Sequence, residues 1–228
     1  MPSPRELTAF NGSPRGASGN TEHLIRAVCH GYRSAGGPVA EPTRYLREEA
    51  RHAEFVRAFS EAKRILFAFP LYTDAMPGLV KAFIEALEPL CERDANAPIA
   101  FLVHSGFPEG THSRRVERYL ERLAERLKQP CLGTIVKGGS EGIRHQTEEE
   151  NRSVFERLRT LGADLAEGRP MTTDALNALA APERFPGWMV PVGHVMLRLR
   201  KAHASWDEQL KENNAYDRRF ARPYADGD

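Results

Sequence analysis

The chain has 228 residues, 41% hydrophobic and 28% charged, enough apolar material for one sizeable α/β core and too much for a disordered chain. Its 32 Lys plus Arg stand against 31 Asp plus Glu, a net charge of +1, so the basic face of a nucleic-acid binder is not indicated. Three scattered cysteines without a CxxC pair argue against a zinc ribbon or a cysteine-ligated cluster, and no apolar run approaches the ~18 residues of a membrane span. The expectation is a cytoplasmic protein.

Five short apolar runs alternate with amphipathic segments. Leu7 to Phe10 reads as a first strand, followed by a glycine-rich turn and a helical pattern from about Thr21 to Ala35. Pro38 to Leu46 is a weak second strand, because its prolines confine it to an edge. The segment HAEFVRAFSEA then reads as a helix, with Phe55, Val56 and Phe59 at helical spacing.

The run RILFAFPLY, Arg64 to Tyr72, has the continuous apolar character of a strand buried on both faces. A helix with Leu79, Phe83, Leu87 and Leu90 on one face follows. PIAFLVHSGF is a fourth strand, and Val116, Leu120, Leu123 and Leu127 mark the next helix. CLGTIVKGG is a fifth strand, and Val154, Leu158, Leu161 and Leu165 stripe the helix after it. Such alternation implies parallel βαβ units in an open, doubly wound sheet, whose ligands sit beyond the carboxyl ends of the strands.

After about Pro170 the pattern breaks into short pieces, then resumes as one long helix, HVMLRLRKAHASWDEQLKENNAY, and an irregular tail. Val192, Val195, Met196, Leu199, Ala202, Trp206 and Leu210 form its apolar stripe, read as intramolecular packing or a dimer contact. The chain thus divides into an α/β domain, 1–170, and a partly helical extension, 171–228, packing on that domain or on a partner subunit.

Three strand-end loops carry the chemistry. NGSPRGASGNT offers close backbone approach, hydroxyls from Ser13, Ser18 and Thr21, the Asn20 amide and the Arg15 guanidinium. It fits neither GxGxxG nor GxxxxGK[ST], which leaves an ordinary capped turn or a phosphate cradle. The second loop, from Phe69, sets Pro70, Leu71, Tyr72 and Thr73 as an apolar and aromatic platform suited to a flat ring. In it Asp74 reads equally as a helix cap or a ligand. The third loop brings Ser105, Gly106 and Phe107. His104, His112 and His145 lie near strand ends without the spacing of a metal site. Gly138 to Asn151 reads as a solvated polar loop, its Arg144 and His145 candidates for a nicotinamide phosphate.

Taken together, NGSPRGASGNTEHL, PLYTDAMPGLVKAFIE and SGFPE resemble the flavodoxin-like NAD(P)H-dependent FMN reductase family, over roughly residues 5 to 168. The resemblance implies a five-stranded parallel sheet of order 2-1-3-4-5, helices on both faces, and FMN at the carboxyl ends. It implies Ser13, Arg15, Ser18, Asn20 and Thr21 around the FMN phosphate. Pro70, Leu71, Tyr72 and Thr73 would then meet the isoalloxazine and ribityl chain, and Ser105, Gly106 and Phe107 would close the other side. The implied activity is hydride transfer from NAD(P)H through FMN to a small acceptor: a quinone, nitro compound or flavin. The implied assembly is a homodimer, with Trp188 and Trp206 near a partner's site.

The family's iron–sulfur relatives carry a compact cysteine motif that is missing here. True flavodoxins are shorter and strongly acidic, so the charge-balanced chain shifts weight toward a reductase. A flavodoxin-like electron carrier reduced by a protein partner is the alternative, and a flavin-free binding module the third reading. No residue is singled out as catalytic, because the flavin itself carries the hydride chemistry.

Overall fold

The uninterrupted apolar runs become the middle of a sheet. In the computed structural model, which describes residues 5–91, 93, 97–189 and 204–222, β1 (Leu7–Asn11), β3 (Arg64–Pro70) and β4 (Ile99–His104) are buried along their whole length. The outer strands are β2 (Val39–Tyr45) and β5 (Cys131–Lys137), and all pairings are parallel in the order β2-β1-β3-β4-β5. This is the flavodoxin-like arrangement expected from the sequence. Pro42 lies in β2, which pairs on one side only, so its missing N–H breaks no second ladder.

Side chains alternate across the strands, and the two faces differ in size. One carries Leu7, Ala9, Leu66, Ala68, Ala100 and Leu102 under α1 (Asn20–Ser34) and α5 (Arg152–Glu167). The other carries Phe10, Phe67, Phe69 and Phe101 under α2 (His52–Glu61), α3 (Gly78–Ala86) and α4 (Arg114–Arg126). There Phe10 stacks on Phe83 with ring centroids 5.7 Å apart.

On the small-residue face α1 and α5 cross closely. A Cβ on Gly31 would lie 1.9 Å from the Arg159 carbonyl oxygen, and one on Gly162 would lie 2.1 Å from that of Val28. Only glycine permits that approach.

The helix α5 ends at Gly168, in the left-handed conformation with φ 71°. The turn beyond it is held by buried Asp164, which accepts from the Thr172 N–H and hydroxyl at 2.7 Å each and pairs with Arg169. It leads into α6 (Thr173–Ala180), which packs on α5 and β5. The described chain divides into two compact units, the first running past residue 170 to Arg184 and the second covering Phe185–Asp228. In the second unit, Ala204–Glu212 is a helix, and Arg219 stacks on Tyr216. Of the long helix expected near the terminus, residues 194–203 lie outside the described residues, as does Val192 of its stripe. Among the described residues, no helix is long and apolar enough to cross a membrane.

Candidate functional site

The carboxyl ends of the strands open onto one cleft. It is lined by Ser13, Arg15, Asn20 and Thr21 after β1, by Pro70 at the end of β3 with Leu71 and Tyr72 beyond it, and by Ser105 and Gly106 after β4. His104, Ser140 and Glu141 complete it.

The first loop is set from below by Asn11, which is fully buried. Its side-chain oxygen accepts the Ser13 N–H at 2.9 Å, while its amide donates to Glu22 at 3.1 Å. Ser13 Oγ accepts the Arg15 N–H at 3.2 Å, and a short turn over Gly16–Ser18 delivers the chain to α1. Gly19 precedes that helix without a side-chain cap. Its leading N–H groups therefore carry the partial positive charge that favours an anion. Arg15 is exposed beside them, and Arg47 reaches its carbonyl oxygen at 3.3 Å.

The second loop closes on itself. Tyr72 and Ala75 exchange backbone hydrogen bonds of 2.9 and 3.2 Å, with Thr73 and Asp74 between them at φ 50° and 63°. That is the left-handed geometry of a two-residue hairpin turn, costly for a β-branched residue such as Thr73. Asp74 neither caps a helix nor faces the cleft. Its carboxylate meets His112 Nδ1 at 2.8 Å, and the His112 ring lies under Phe107 with centroids 4.6 Å apart. The second and third loops are thereby tied together, leaving Tyr72 and Phe107 each half exposed beside the cleft.

Three of the expected site residues lie outside the lining. Ser18 faces away and donates to the Arg15 carbonyl at 3.0 Å, Thr73 sits at the tip of the strained turn, and Phe107 stacks on His112. Asn20 lines the cleft while clamping the loop after β5. Its amide donates to the Glu141 carbonyl at 3.1 Å, and its oxygen accepts the Arg144 N–H at 3.0 Å. That loop, read from sequence as solvated, is exposed over most of its length, while its Ser140 and Glu141 line the cleft and the Arg144 guanidinium is taken up by His145 at 2.9 Å.

A buried row of hydrogen bonds runs under the floor. Ser140 Oγ donates to the Ser105 carbonyl at 2.9 Å, which commits its only proton. His104 Nδ1, 2.7 Å from the same oxygen, must then be the donor, and Nε2 is left to accept from Thr21 Oγ1 at 2.7 Å. The imidazole is neutral: burial, helped by the nearby Lys137 ammonium, pulls its pKa down to about 3. Burial also lowers the pKa of Lys137, whose ammonium donates to the Gly138 carbonyl. The available signal for His104 was its position, a polar residue closing an otherwise apolar strand in register with Pro70 and Lys137.

The donors present suit a phosphate monoester: a guanidinium, the Ser13 hydroxyl and an uncapped helix start. The cleft holds about 100 Å³, the scale of a phosphoryl group and a few attached atoms.

No protein-family model matches the chain, and no curated protein matches it. Solved structures do. An NADH:FMN oxidoreductase in its apo form is 17% identical, with TM-score 0.54 over 78% of this chain and 96% of that one. An NAD(P)H:quinone oxidoreductase from Methanothermobacter marburgensis is 14% identical, with TM-score 0.53 over 72% and 98%. A WrbA-like flavodoxin from Agrobacterium tumefaciens is 15% identical, with TM-score 0.53 over 73% and 97%. Likeness at these identities shows the fold.

Proposed function

We propose that this chain is an FMN-dependent oxidoreductase that uses NAD(P)H to reduce a small acceptor such as a quinone, a nitro compound or free flavin. The observation carrying the reading is the meeting of an uncapped helix start, Ser13 and Arg15 with the Pro70–Leu71–Tyr72 platform at the carboxyl ends of the strands. The oxidoreductase names of the similar structures support the reaction class.

When bound, FMN supplies a ring that accepts and donates hydride. The residues would do the rest. Arg15, Ser13 and the head of α1 hold the phosphate; Tyr72 stacks along one side, and the Ser105–Gly106 backbone borders the other. The Asp74–His112 pair fixes the turn that presents Tyr72. Ser18, Thr73 and Phe107 would contribute from outside the cleft, and Asn20 by shaping its wall.

The assembly proposed is a homodimer in the cytoplasm, with residues 1–170 as the cofactor domain and 171–228 as the extension. The test is spectroscopic. The purified protein should retain FMN, and its visible flavin band should bleach anaerobically with NADH or NADPH and recover with a quinone. A flavin that is bound but untouched by either nicotinamide would point instead to an electron carrier. Failure to bind FMN would remove both readings.

A further inference from the structure

Thr21 lines the cleft, and its hydroxyl, which meets the buried imidazole, has one proton to give either to that ring or to a ligand. In the row Thr21–His104–Ser140–Ser105 that proton goes to His104 Nε2, so Thr21 offers an incoming anion only lone pairs. A phosphate oxygen accepts hydrogen bonds and is repelled by lone pairs, so as it stands this corner of the cleft opposes the ligand that the rest of the loop suits.

Two rearrangements free the proton. In one, His104 gains a proton and donates from both nitrogens. In the other, the row reverses: His104 carries its proton on Nε2 and donates to Thr21 Oγ1, while the Ser140 hydroxyl turns from the Ser105 carbonyl to Nδ1. The surroundings decide between them. A charged imidazole would be buried, with the Lys137 ammonium on β5 opposing it. Arg15 on the first loop is a further cation at the cleft, and the acidic group lining it, Glu141, is exposed to solvent. Reversal leaves the Ser105 carbonyl still bonded, because the backbone N–H of Ser140 stays on it at 2.9 Å. Protons balance as well: one leaves Nδ1 for solvent, one from solvent binds Nε2, and none is gained.

We propose that phosphate binding at the head of α1 switches His104 from the Nδ1–H to the Nε2–H tautomer, turning the Thr21 hydroxyl into a donor to the phosphate. His104 is thereby a positioning residue that biases the cleft toward phosphorylated ligands without taking up a proton. The inference rests on the FMN reading above.

The test is nitrogen NMR of the histidine side chains in the full chain, with His104 assigned by its loss in His104→Gln, titrated separately with FMN, riboflavin and inorganic phosphate. Expected are Nδ1–H in the free protein, Nε2–H with FMN or phosphate, and no change with riboflavin. Thr21→Val should abolish the switch and cut the preference for FMN over riboflavin about tenfold, the scale of one hydrogen bond to a charged group. An imidazole that stays Nδ1–H in the FMN complex, an imidazolium signature there, or an unchanged preference in Thr21→Val overturns the inference and leaves the FMN reading standing. Failure of FMN and phosphate alike to bind overturns both.

Discussion

Mild acid should destabilise this protein through His104 before its carboxylates are reached. In the unfolded chain the imidazole titrates near 6.5, whereas in the fold burial and Lys137 hold it near 3. Between those values the unfolded state binds a proton that the folded state refuses, so the stabilisation is fully present above about pH 6.5 and is lost as pH falls toward 3. At 1.36 kcal/mol per unit, the whole interval amounts to roughly 5 kcal/mol, and the step from about pH 6.5 to about pH 5 to roughly 2 kcal/mol. Glu54, Glu150 and Glu183 are held below the ordinary carboxylate value by Arg51, Thr147 and Arg114, so their contribution is lost only below about 4.5. The upper window therefore separates from theirs. Urea unfolding at several pH values across it, on wild type and His104→Gln, measures the slope. The variant's absolute stability is immaterial, since only the slope is compared. Parallel slopes for the two proteins would refute a buried neutral imidazole at this position.

Arg15→Ala should weaken FMN binding by about tenfold to a hundredfold, the range for a hydrogen bond to a charged group, and leave riboflavin affinity unchanged; fluorescence titration reads both. Gly162→Ala should cost about 1–3 kcal/mol in thermal or urea unfolding, because its Cβ would meet backbone of α1 rather than a side chain that can move. Thr73→Gly should stabilise the fold by about 1 kcal/mol by relieving its left-handed backbone, and a loss of stability would show that the turn is not strained.

What could be read from sequence was what the chain encodes locally. The runs RILFAFP and IAFLVH have too few polar positions to expose either face, so their place inside a parallel sheet followed from composition alone. The proline of VAEPTRY put β2 at an edge for an equally local reason, a missing donor. That the strand ends would converge was then a consequence of parallel topology, and it brought Ser13, Arg15, Pro70, Leu71, Tyr72, Ser105 and Gly106 to one cleft. Side-chain commitments were not readable, because they depend on partners far along the chain. Asn20 and Thr21 stand where polar residues commonly cap a helix or greet an anion. Yet the Asn20 amide meets Glu141 across 121 positions, and the Thr21 hydroxyl meets His104 across 83. Ser18 gave the same hydroxyl signal as Ser13, and only the turn over Gly16–Ser18 decides that one points inward and the other out. Residue type at a strand end therefore indicates which ligand chemistry is on offer. Which protons are free to deliver it is settled by the second layer beneath, where a single imidazole fixes the direction of an entire row.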